Sequence, residues 1–85
     1  MFSYVLHPAA RKELGRFPFE IQKQIVKKIA ALCQLDHPIL SPNVIKLKGR
    51  EDSYRLRVGD YRVKFILRKP NLLLIIAVDH RQVGY

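Results

Sequence analysis

The sequence predicts an α+β domain in which two helices cover one face of an antiparallel sheet. Three observations carry that expectation. Residues 54–65 read Tyr-Arg-Leu-Arg-Val-Gly-Asp-Tyr-Arg-Val-Lys-Phe, with apolar and basic residues alternating on both sides of Gly59-Asp60. A period of two marks strands with one buried face, and Gly at the first central position of a two-residue loop suits a type II′ hairpin turn. Earlier in the chain Ile21, Ile25, Ile29 and Leu32 recur at helical spacing, an amphipathic stripe. Finally, the helical patterns precede the main run of strands instead of alternating with it, which separates a helix layer from a sheet layer.

The elements follow in order. Phe2 to Leu6 is short and apolar-rich, an N-terminal strand. Pro8 suits a first helical position, so a short helix is expected over Ala9–Arg16. Pro18 closes it and opens a second helix from about Phe19 to Leu35, and the two form a helical hairpin. Lys23, Lys27 and Lys28 avoid the apolar stripe and face solvent, whereas Cys33 falls within the apolar pattern and is a packing residue. Asp36 to Asn43, with Pro38 and Pro42, is a loop. Val44 to Lys48 is extended, with Lys46 and Lys48 alternating against Ile45 and Leu47. Gly49 to Asp52 turns the chain into the hairpin, whose return strand runs to about Leu67. Pro70-Asn71 makes the next turn, and Leu72 to Val78 is a final strand, apolar on both faces and therefore central or covered. Residues 1–85 thus form a single domain that closes on an antiparallel three-strand meander.

In the hairpin register Val58 faces Tyr61, Leu56 faces Val63 and Tyr54 faces Phe65, giving one apolar face. The other face sets Arg57 opposite Arg62 and Arg55 opposite Lys64. Like charges directly across a sheet cost about 0.2–1 kcal/mol per pair, a sizeable fraction of a small domain's stability. A solvated basic face is the plainer reading. Two such pairs together point instead to a polyanion, a phosphate backbone held on this face.

Composition narrows the partners. Sixteen Lys and Arg against seven Asp and Glu give the 85 residues a net charge of +9, so anions are the natural ligands. A membrane partner is not expected, because the longest wholly apolar run, Leu72–Val78, is far too short to span a bilayer. One cysteine excludes an intrachain disulfide, and the first residues lack the pattern of a signal peptide; both suit the cytoplasm. His7, His37 and His80 are too far apart in sequence for a short-spaced zinc motif, so neither a metal nor another cofactor is expected. Glu51, Asp52 and Asp60 sit in turns, leaving no evident carboxylate pair for acid–base work. Asp79-His80-Arg81 follows the last strand and Tyr85 ends the chain. By composition alone Arg81 reads as half of a surface ion pair, with Asp79 a ready partner, and Tyr85 as a terminus.

These strings resemble the RelE/ParE toxin superfamily of toxin–antitoxin modules. The resemblance rests on Leu47-Lys48-Gly49, on Tyr54-Arg55-Leu56-Arg57-Val58-Gly59-Asp60-Tyr61-Arg62-Val63, on His80-Arg81, on the terminal Tyr85 and on the helical stretch Ala10 to Leu14. It implies a ribonuclease-like RelE fold and a metal-independent messenger-RNA endoribonuclease that works in the ribosomal A site and is silenced by a cognate antitoxin. Cleavage would use the RNA's own 2′-hydroxyl and leave a 2′,3′-cyclic phosphate. By position Arg57, Arg62, Arg81 and Tyr85 match the catalytic set, with Tyr85 in the place of the proposed general base. Lys46, Lys48, Arg55, Lys64 and His80 would contact RNA. Gly84 before the tyrosine departs from the ending of many relatives. The resemblance also covers a topoisomerase-poisoning ParE branch, which generally lacks the arginine and terminal tyrosine, and members that bind ribosomes or RNA without cutting.

Overall fold

The computed structural model describes residues 1–49 and 52–80. The chain runs β1 (Ser3–Leu6), α1 (Pro8–Leu14), α2 (Phe19–Cys33), a 3₁₀ turn (Pro38–Leu40), β2 (Val44–Lys46), β3 (Ser53–Val58), β4 (Tyr61–Arg68) and β5 (Leu72–His80). All five strands form one sheet in the order β1-β5-β4-β3-β2. The expected meander is present as β3, β4 and β5, and β2 extends it by a fourth antiparallel strand. At the far edge β1 lies parallel to β5, in the register Ser3–Leu72 to Leu6–Ile75. This is the α+β architecture anticipated from the sequence.

Local chemistry accounts for the helix ends. Pro8 opens α1, and the His7 Nδ1 accepts the Ala9 amide at 3.1 Å, capping an amide that the first turn would otherwise leave unpaired. Both helices stop about two residues before the sequence suggests. In α2 the Gln34 and Leu35 amides bond to Ala31 and Leu32, tightening the last turn and ending the regular helix at Cys33. The stripe of α2 packs as its spacing demands: Ile25, Ile29 and Leu32 are buried, and Lys23, Lys27 and Lys28 are exposed. Cys33 is buried in the same core, which pushes its thiol pKa up, as expected of a packing residue.

The sheet contributes Phe65, Val63 and Leu73, all with no exposed surface. The hairpin register is the one read from the alternation: Val58–Tyr61, Leu56–Val63 and Tyr54–Phe65 on one face, Arg57–Arg62 and Arg55–Lys64 on the other. The Tyr54 and Phe65 rings stack across the strands at 5.7 Å. Gly59 takes φ of +58° while Asp60 stays outside the left-handed region, which fits type II′ and excludes type I′.

A β-bulge in β5 shapes the other end of the sheet. Lys64 pairs with Ala77 but Phe65 pairs with Ile75, so Ile76 is an extra residue. One inserted residue reverses which face the following side chains occupy. Leu73 and Ile75 point to the helices before the bulge; Val78 and His80 do so after it, and Ala77 and Asp79 turn to the opposite face.

Candidate nucleic-acid interface

The face opposite the helices is built in cross-strand rows, because register partners on neighbouring strands point the same way. At the turn end one row runs Arg57–Arg62–Asp79 across β3, β4 and β5. The next runs Ile45–Arg55–Lys64–Ala77, from β2 to β5. Further from the turn the face becomes apolar, with Ile66 paired to Leu74 and Leu74 to Val5. Four cations are thus concentrated at the hairpin end of the sheet. Arg57 is exposed, and Arg55, Arg62 and Lys64 are half-buried, their stems lying along the sheet.

Arg55, Arg57, Gly59, Asp60, Tyr61 and Arg62 line an open cleft of about 240 Å³. Guanidinium groups present paired donors that match phosphate oxygens, so a cleft with three arginines suits a phosphodiester better than a neutral ligand. One carboxylate lines it and a second lies on the neighbouring strand. Asp60 lines the cleft from the turn, and Asp79 stands across from Arg62 on β5. Both acids temper the positive field next to Arg62 and restrict where an anion can sit.

Of the nine residues read from the sequence, the seven that are described do not converge on one place. Arg55, Arg57, Arg62 and Lys64 do. Lys46 pairs with Tyr54 and so belongs to the helix side of the sheet, at its edge; its neighbour Ile45 occupies the place beside Arg55. Lys48 lies in the turn beyond β2. His80 pairs with Tyr61 on the helix side, its ring edge-on to the Tyr61 ring at 4.9 Å, and Tyr61 meets Phe17 at the same distance. The β5 bulge is the reason that His80 does not face the arginines. Arg81 and Tyr85 lie outside the described residues.

Asp79 and Asp60 were not singled out for this face by sequence. Turn chemistry alone accounts for Asp60 in the sequence and conceals its place on the cleft wall. Asp79 required the position of the bulge, and a strand apolar on both faces carries no alternation from which to read it.

One five-stranded sheet with two helices on one side and paired cations on the other defines a small α+β domain, and here it is that of the RelE-like toxins. The chain belongs to the ParE toxin family of type II toxin–antitoxin systems, parDE, whose family model matches residues 4–85. It is similar to RelE1 of Methanocaldococcus jannaschii, at 26% identity over 98% of this chain and 92% of that protein. Among solved structures it resembles the toxin of the RelB–RelE antitoxin–toxin complex from Methanococcus jannaschii, at 28% identity and a TM-score of 0.75, covering 95% of this chain and 94% of the other. The archaeal RelE–RelB complex from Pyrococcus horikoshii gives 27% identity and a TM-score of 0.77, over 96% of this chain and 97% of the other.

Proposed function

We propose that this toxin is a ribosome-dependent endoribonuclease that cuts messenger RNA in the cytoplasm and is neutralised by a cognate antitoxin. The observation that carries this reading is the doubled row of cations, Arg57–Arg62 and Arg55–Lys64, which places like charges across adjacent strands at a cost to stability. An RNA backbone offsets that repulsion. The antitoxin follows from the family and from relatives solved together with RelB.

In the proposed reaction the 2′-oxygen of the message attacks the adjacent phosphorus, the bond to the 5′-oxygen breaks, and a 2′,3′-cyclic phosphate and a 5′-hydroxyl remain. Negative charge grows on the phosphoryl oxygens as the 2′-oxygen attacks. Arginines fixed on a sheet stabilise that charge without having to reorganise, an effect worth several kcal/mol in enzymes generally. Arg57 and Arg62 take this role on β3 and β4; Arg55 and Lys64 hold the neighbouring phosphate. Arg81 and Tyr85 are carried over by their position in the family pattern, Arg81 as a further cation and Tyr85 as the base that removes the 2′-proton. Arginines beside a phenol favour phenolate and bring it toward the range useful for proton abstraction. No metal or cofactor takes part in this scheme.

Mapping of 5′ ends after induction tests the proposal. New ends inside translated frames are expected, and translation arrest with intact messages would refute it. One observation favours a second reading: the matching family model is that of ParE toxins. A topoisomerase poison would produce DNA damage and no new RNA ends.

A further inference from the structure

Between α1 and the end of β5 lies a contact that the proposed reaction does not use. β1 ends opposite Ile75, and the His7 amide makes the last bond to that strand, at Ile75 O. Among the described residues, 76–80 of β5 therefore have no strand beside them on that side. α1 fills the space, and the half-buried Glu13 side chain accepts the Val78 amide through Oε1 at 2.9 Å. Glu13 is the sixth residue of a seven-residue helix, and it reaches across to a strand 65 positions later in the chain.

The location of this bond gives it consequence. Val78 comes two residues after Ile76, the extra residue of the bulge. Val78 keeps Val63 as its ladder partner on β4, so its amide is an edge group that lacks a strand partner where β1 has ended, and Glu13 supplies one directly beside the bulge. A slip of one residue would turn Asp79 away from Arg62 and toward the helices. It would also take His80 off Tyr61 and place it on the side of the arginines. Loss of the bulge would bring Ala77 to the core place of Val78, an exchange of one aliphatic residue for a smaller one.

We propose that Glu13 is a positioning residue: by accepting the Val78 amide it locks the β5 bulge, and so fixes Asp79 opposite Arg62 on the basic face and His80 against Tyr61. The catalytic consequence rests on the ribonuclease reading; the structural one does not. Glu13 touches neither the cleft nor the four cations that line the basic face. Its loss should therefore act on the rate of cleavage more than on RNA binding.

The test compares Glu13→Ala with Glu13→Gln in the full chain, with circular dichroism and antitoxin binding as measures of folding. The amide of glutamine retains an acceptor oxygen, so Glu13→Gln should protect the Val78 amide from exchange, preserve the Tyr61–His80 proton contacts in NMR spectra and cleave normally. In folded Glu13→Ala, Val78 should lose protection selectively and the Tyr61–His80 contacts should weaken. There kcat should drop by up to about 10²-fold, the scale of an ångström-level misplacement, with KM little changed. Unchanged Val78 protection and ring contacts in Glu13→Ala would overturn the inference, whatever happens to activity. A global loss of protection in Glu13→Ala together with a loss in Glu13→Gln would also overturn it, making Glu13 a structural residue of α1. A wild-type protein that shows the expected NMR pattern but cuts no RNA would refute the ribonuclease reading and leave the positioning role standing.

Discussion

Replacing Arg57 by threonine should make the protein more stable and less able to hold RNA. Arg57 is exposed on β3 and stands directly across from Arg62, and it forms no ion pair among the described residues. Threonine suits a strand and removes the charge, so the like-charge pair disappears without a packing defect. Relief of one such pair is worth about 0.2–1 kcal/mol. For a domain of this size each kcal/mol moves Tm by about 4–8 °C, which predicts a rise of about 1–8 °C. The gain should shrink as salt is raised, because exposed charges are screened beyond about 10 Å at 0.1 M. Binding should move the other way. Four phosphate contacts to single-stranded RNA give a log–log salt slope near −3, and each lost contact reduces it by about 0.7. Calorimetric melting at two salt concentrations and a salt titration of RNA binding measure both effects on one variant. A lower Tm at every salt concentration would mean that Arg57 is held in a stabilising contact, and an unchanged slope would remove it from the phosphate site; either result refutes the reasoning.

Arg62→Ala and Arg81→Ala should each abolish growth arrest while leaving the circular-dichroism spectrum intact; spectral collapse would make these arginines structural. Deleting Tyr85 should lower cleavage by about 10²–10⁴ if its phenol is the base. Tyr85→Phe should then be as poor as the deletion, whereas activity retained by Tyr85→Phe alone would assign the ring to stacking on a base of the message. Phe65→Ala should cost about 3–5 kcal/mol in denaturant unfolding, because it empties a core site with no exposed surface.

The parts of this fold that were legible in the sequence are those where polarity alternates. In the hairpin every residue declares its face, so the Arg57–Arg62 and Arg55–Lys64 rows follow directly from the sequence and reappear in the pairing. β5 is the opposite case. Its leucines, isoleucines and alanine suit either face, so nothing in their order reveals that Ile76 is inserted or that His80 points to the helices. β2 is too short for its alternation to decide a side; pairing of Val44 with Leu56 does so, and carries Lys46 away from the arginines. The parallel seat of β1 beside β5 depends on the path of two intervening helices, which local pattern does not encode. Asp60 shows a further limit, since a residue favoured in a turn for its backbone chemistry can also form the wall of a cleft.

In the proposed reaction, cations on the sheet promote attack by the message's own 2′-hydroxyl. Ribosomes programmed with a message carrying a single 2′-deoxynucleotide at the mapped cleavage position test it most directly. The unmodified message should be cut to a 2′,3′-cyclic phosphate and a 5′-hydroxyl, and the deoxy message should survive at that position with the toxin still bound. Cleavage at the deoxy position, or arrested translation with the unmodified message intact, would contradict it.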